Sequence, residues 1–424
     1  MNNFLAKISL AFRDQVLRKR IGFTILILIL FRLMATIPIP GVDVANLAKL
    51  LSSSQFFGFL NIFSGGGLSN LSIVMLGVGP FITASIIIQL LTMMYPKWKN
   101  LMHEEGEAGR MKLSQYSRYI SIPLGVISAI GFLSLLQSQG VLPQISTSAF
   151  VMNVIVITAG STLLMWLGEL VSEFGIGNGV SLIIFAGIVS SLPTAVNQFI
   201  VQFKAIDIPV YIIAVVIVLI VVAGVVYITE AERSVPVTYA KQVRGNKVYG
   251  GASTYLPLRL NQAGVIPIIF ALSILLFPQI ISNLLSHWTA HPTIAAWATS
   301  FTVLFNNQWV YGAAYFVLVV LFTYFYTAVT FDPKQISENL QRSGAFIPGV
   351  RPGTFTMEYL GNIVTRITLV GALFLGIIAI LPLCMQAFTS SKSLAIGGTA
   401  LLIVVSVVLD LLKKIDAQVA MREY

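Results

Sequence analysis

An all-α membrane protein is the fold class this sequence predicts, and three observations lead there. The 424 residues are 56% hydrophobic and only 10% charged, with a mean hydropathy of +0.87. Soluble domains carry far more charge, so water cannot be the solvent for most of this surface. The apolar residues come in runs of about 20, the length that crosses a bilayer as a helix, and not in the short alternating stretches of a barrel. Inside lipid every backbone group must be satisfied by the protein itself, which leaves only those two architectures.

Ten such runs follow one another, at 21–37, 71–94, 119–136, 150–171, 180–201, 208–228, 264–285, 309–331, 363–388 and 394–412. The first follows Arg18-Lys19-Arg20 and resembles the opening of a signal peptide. It ends in Ile37-Pro38-Ile39-Pro40 with no small-residue cleavage site, and is read as a retained span. An even number of spans puts both termini on one face. Of 26 Lys and Arg residues, 21 lie in segments 1–20, 95–118, 229–263, 332–362 and 413–424, which share that face. The opposite loops hold only Lys49, Lys204 and Lys392, so the shared face and both termini are expected in the cytosol. Division into 1–203 and 204–424 leaves five spans in each half. Two odd-numbered halves in series have opposite orientations, the arithmetic of an inverted repeat.

Most outer loops are short, whereas the inner loops 229–263 and 332–362 are long, basic and rich in Gly and Pro. Such loops are either topology-enforcing linkers or docking surfaces for a cytosolic partner. The outer stretch 38–70 is the exception. Its run Phe56-Phe57-Gly58-Phe59-Leu60-Asn61-Ile62-Phe63 is apolar but too short to span, which suggests a re-entrant or surface segment. Gly65-Gly66-Gly67 would hinge it before the second span.

Catalytic chemistry is hard to find. No GxxxxGK[ST] phosphate loop occurs, and Gly175-Ile176-Gly177-Asn178-Gly179 reads as a tight cytosolic turn with Asn178 as a cap. His103, His287 and His291 lack further ligands at metal spacing, and the single cysteine, Cys384, lies in an apolar run. Charges within spans are Arg32, Glu169, Arg366 and Asp410, the last three near cytosolic ends. Arg32 is deeper, at a cost of roughly 2–3 kcal/mol unless it finds a partner. An ion-coupled secondary transporter of a small solute is the alternative reading, but it would need carboxylates or broken helices near the midplane.

Several stretches, in order, carry a resemblance. They are Phe31-Arg32 through Ile37-Pro38-Ile39-Pro40-Gly41, Phe63-Ser64-Gly65-Gly66, Ala84-Ser85-Ile86-Ile87-Ile88-Gln89-Leu90-Leu91, Met165-Trp166-Leu167-Gly168-Glu169, Gly175 to Gly179, Ala263-Gly264-Val265-Ile266-Pro267 and Ser343 to Gly353. From first span to last the chain resembles the SecY family, the channel subunits of the bacterial general secretory translocase. The resemblance implies two inverted five-helix halves around a central hourglass pore, which translocates unfolded polypeptides and releases hydrophobic segments laterally into the cytoplasmic membrane. It implies neither an enzyme nor a cofactor.

By motif position it implies a pore ring of Val78, Ile82, Val180, Ile184, Ile269 and Ile403. Without the motifs these six would be read as ordinary core or lipid-facing residues. An apolar ring suits the task, because it dewets when empty and makes few hydrogen bonds to a passing backbone. A plug at about 57–70 is implied, with Phe57, Phe59, Leu60, Ile62, Phe63, Ser64, Gly65, Gly66 and Gly67 as its residues. Thr83 and Asn261 are implied on a lateral gate. Arg233, Lys241, Arg244, Lys247, Arg342 and Arg351 are implied as docking cations for a SecA-like ATPase motor or the ribosome. SecE-like and SecG-like small membrane subunits, signal sequences, unfolded preproteins and membrane lipids complete the implied partners. A YidC-like insertase fits poorly, since Arg32 is the only candidate for its buried arginine and ten spans are too many.

Overall fold

The computed structural model describes residues 14–40, 67–68, 70–95, 98, 101, 106–138, 142, 146–201, 208–240, 242–244, 247–249, 253–262, 264–275, 300, 307–389 and 398–420. Helices dominate. In chain order they are α1 (Gln15–Met34), α2 (Gly79–Met94), α3 (Gly106–Ser138), α4 (Thr147–Phe174), α5 (Gly179–Val201) and α6 (Ile208–Glu230), then α7 (Ile266–Leu275), α8 (Gln308–Thr330), α9 (Pro333–Arg342), α10 (Thr354–Thr389) and α11 (Gly398–Ala420). By length and composition α3, α4, α8 and α10 can each cross a membrane.

Local chemistry sets several starts. Asp14 caps α1 by accepting from the Val16 amide at 2.8 Å, so the helix begins ahead of the apolar run, through Arg18-Lys19-Arg20. Asn307 caps α8 through the Trp309 amide at 3.0 Å. Asn178 accepts from the Ser181 amide at 3.2 Å, the cap expected in the glycine-rich turn. α3 and α10 begin well before the apolar stretches at 119 and 363, because a helix need not end where the hydrocarbon does.

Packing follows the chain at first. α2 to α5 lie side by side in order, with α1 against α4 and α5; α6 and α10 pack on α11, and α8 on α10. The α5–α11 contact joins the two sets. One continuous apolar core runs through them and includes Phe31, Ile86, Leu164, Leu272, Tyr315 and Leu402. Arg32 finds its partner in Ser190 of α5, whose hydroxyl accepts from Nη1 at 3.1 Å.

Two expectations are corrected. The second run is helical only from Gly79. Asn70 to Val78 form a buried elbow of turns, in which Leu71 holds φ at 45° and Gly77 at 58°. Neighbouring backbone satisfies much of it, as irregular backbone in a membrane protein requires. The Ile39 amide donates to Leu71 at 2.8 Å, and the Ile73 amide to Ile37 at 3.0 Å.

The protein is also not purely α. The loop after α6 forms β1 (Glu232–Tyr239) and β4 (Ser253–Arg259), paired antiparallel, with the small hairpin β2 (Gln242–Arg244) and β3 (Lys247–Tyr249) between them. β5 (Ala345–Phe346), from the loop after α9, adds to β1 through Tyr239 opposite Ala345. The two basic loops are therefore one folded unit. Val235, Val237, Leu258 and Ile347 pack with Leu360 and Val364 of α10 as its core.

Candidate functional site

The six expected ring positions come from four elements, α2, α5, α7 and α11, that share one apolar core. Val78, Ile82, Ile184, Ile269 and Ile403 are all buried members of the central apolar core, and Val180 packs on it, partly exposed. Val78 is the N-cap residue of α2, and Ile82 lies four residues on, over the same face. Val180 has a second neighbour. Its Cγ2 would stand 3.2 Å from a Cβ at Gly168, so it leans on α4 in the first turn of α5.

Of the plug positions, Gly67 alone is described; Phe57, Phe59, Leu60, Ile62, Phe63, Ser64, Gly65 and Gly66 lie outside the described residues. Gly67 is buried, and its carbonyl accepts from the Ser72 amide at 2.8 Å. Leu68 is buried with Leu71, Phe132 and Ile157, between α3 and α4. The C-terminal end of the expected plug is thus packed into the elbow.

The expected gate residues, Thr83 and Asn261, each bond within their own segment. The Thr83 hydroxyl donates to the Gly79 carbonyl at 3.1 Å, and the Asn261 amide nitrogen to the Gly264 carbonyl at 3.1 Å. Asn261 is buried beside Gly371 of α10, and its Oδ1 has no partner among the described residues. A cleft of about 720 Å³ opens between α2 and α3 on one side and α8 and α9 on the other. Ser85, Gln89 and Ser117 line it from the first side, Tyr326, Asp332 and Gln335 from the second. The Oε1 of Gln89 is buried there without a partner among the described residues. Sequence reasoning missed this cleft; Gln89, a lone amide in an apolar helix, was the available signal.

The expected docking cations that are described lie on the folded unit. Arg233 is exposed on β1, and Arg244 stands opposite Lys247 across the β2–β3 turn. Lys241 lies outside the described residues. Arg342 ends α9, 3.8 Å from Glu338. Arg351 is exposed on a loop tied down by two buried hydroxyls: Thr356 donates to the Arg351 carbonyl at 2.9 Å, and Ser337 to the Gly353 carbonyl at 2.7 Å. The tip is fixed, and one cation projects from it.

A helical membrane protein with one apolar core between its helices and a folded basic face is the class these features define. The SecY family model matches residues 72–412. The chain is 42% identical over 429 residues to a protein translocase subunit SecY of Halalkalibacterium halodurans, covering 98% of each chain. To that of Corynebacterium glutamicum it is 40% identical over 439 residues, covering 99% of each. Among solved structures it resembles a protein-conducting channel at TM-score 0.63 and 20% identity, over 95% of this chain and 92% of that one. It also resembles the Sec61 channel of a canine ribosome–channel complex from the endoplasmic reticulum, at TM-score 0.62 and 19% identity, with the same coverage. The chain belongs to the SecY family and is a protein translocation channel.

Proposed function

We propose that the chain forms a channel of ten transmembrane helices in two inverted halves, 1–203 and 204–424, in the bacterial cytoplasmic membrane with both termini cytosolic. Unfolded polypeptides cross through a ring of Val78, Ile82, Val180, Ile184, Ile269 and Ile403. The observation that supports this reading is that five of the six are buried in one apolar core and Val180 packs against it, contributed by α2, α5, α7 and α11. When empty the ring excludes water and ions; when occupied it deforms around side chains without holding them.

Hydrophobic segments leave sideways, between α2–α3 and α7–α8. The cleft lined by Gln89 and Tyr326 supports that route, because it already parts the two walls on one side. Once exposed to lipid, a segment partitions by hydropathy, each Asp, Lys or Arg opposing exit by about 2.5–3.5 kcal/mol. The plug at 57–70 seals the resting pore.

The chain performs no catalysis, so energy comes from a SecA-like motor or a translating ribosome docked on Arg233, Lys241, Arg244, Lys247, Arg342 and Arg351. Association of the Sec61 relative with a ribosome supports this, as does the rigidity of the Arg351 loop. SecE-like and SecG-like subunits complete the assembly. The test is reconstitution in liposomes with those subunits and the motor. An unfolded preprotein should become protease-protected in an ATP-dependent way. Solute accumulation along an ion gradient, without protein import, would return the secondary transporter.

A further inference from the structure

The elbow before α2 raises a question that the ring alone does not answer. Val78 caps α2 and Ile82 sits in its first turn, so both inherit their position from the turns that precede them. α2 has no side-chain cap of its own, and its register is set from elsewhere.

α4 supplies the hold. At Gly160 the two segments touch so closely that a Cβ would overlap the Ile73 carbonyl, so only glycine admits the elbow at this depth. The next residue, Ser161, is buried and donates its hydroxyl to the Gly77 carbonyl at 2.8 Å. Gly77 has φ of 58° and leads directly into Val78, which is fully buried. A buried carbonyl outside any helix ladder needs such a donor. Nearby, Val74 lies within 3.4 Å of where a Gly160 side chain would begin, which places the elbow's apolar face on the same helix.

We infer that Ser161 is a positioning residue for the constriction: through the Gly77 carbonyl it fixes where Val78 and Ile82 enter the pore. This rests on the ring reading above and adds to it a residue that touches no client. Losing the bond frees Gly77 to turn, and the α2 share of the ring shifts as one piece, while α4 keeps its packing on α3 and α5.

The experiment uses the assembled complex with Cys384 replaced by Ser. Ser161→Ala should raise the open probability of the client-free channel about tenfold, the population change that one lost buried hydrogen bond corresponds to. Its thermal midpoint should stay near that of the parent, and Ser161→Thr, which restores the donor, should behave as wild type. In parallel, a thiol at Val78→Cys should react faster with a water-borne maleimide in the Ser161→Ala background. Unchanged labelling and unchanged conductance, while an Ile82, Ile184, Ile403 triple glycine control conducts, would overturn the inference. If that control is silent, the ring reading fails separately. Thiol reactivity then still decides whether Ser161 holds Val78: faster labelling supports the hold, and unchanged labelling removes it.

Discussion

Gly179 begins α5 directly against Gly168 of α4, so near that a Cβ at 179 would overlap the Gly168 carbonyl. The Gly179 amide meanwhile donates to the Ser172 hydroxyl at 2.9 Å, which ties the turn back onto the helix it has just left. Gly179→Ala is expected to force the two helices apart, a cost of about 1–3 kcal/mol or more from overpacking. The complex should melt at a lower temperature in detergent and be recovered in reduced yield. Gly22→Ala is the matched control: among the described residues nothing lies within 4 Å of its added methyl, and its melt should be unchanged.

The ring predicts a leak. Ile82, Ile184 and Ile403 replaced together by Gly should let the client-free channel conduct ions in planar bilayers, because a widened and less apolar neck stays wet. Currents indistinguishable from wild type in correctly assembled complexes would count against the assignment.

The Arg351 loop predicts a separable defect. Arg351→Glu should abolish motor-driven import while leaving insertion and assembly intact. Binding of the motor to the wild-type channel should weaken with salt, as an exposed charge contact does. Ser337→Ala removes the hydroxyl that holds the Gly353 carbonyl and should give a milder loss in the same assay. If import by Arg351→Glu matches wild type at equal protein level, the cation serves topology alone.

The plug prediction concerns 59–64, outside the described residues. Deleting these six should leave assembly intact, raise resting leak and relax the demand on signal sequences. A thiol pair joining position 63 to a facing pore residue should stop import until it is reduced. Full import through the crosslinked channel would return the segment to the outer surface.

Hydropathy made the helices legible, because burial in lipid demands long apolar runs wherever the chain crosses. It also misled at Leu71 to Val78, where the side chains are as apolar as any span but the backbone turns. Apolarity reports environment, and only Gly77 hinted at the conformation. β1 hid for a different reason. Val235 and Val237 alternate with exposed residues as a strand should, but Pro236 between them argues against pairing. The structure resolves this by letting β5 pair only at Thr238 and Tyr239, beyond the proline. Asn178 was readable because a cap is a local device. The cleft beside Gln89 was not, since its far wall arrives more than 200 residues later, from Tyr326 onward.

The β1–β5 pairing also has a mechanical meaning. Only Ala231 separates α6 from β1, and α10 starts eight residues after β5. A load applied to the Arg351 tip therefore cannot be absorbed by slack loop. It arrives as torque on α6 and α10 together, and whatever grips this face holds two helices by one handle.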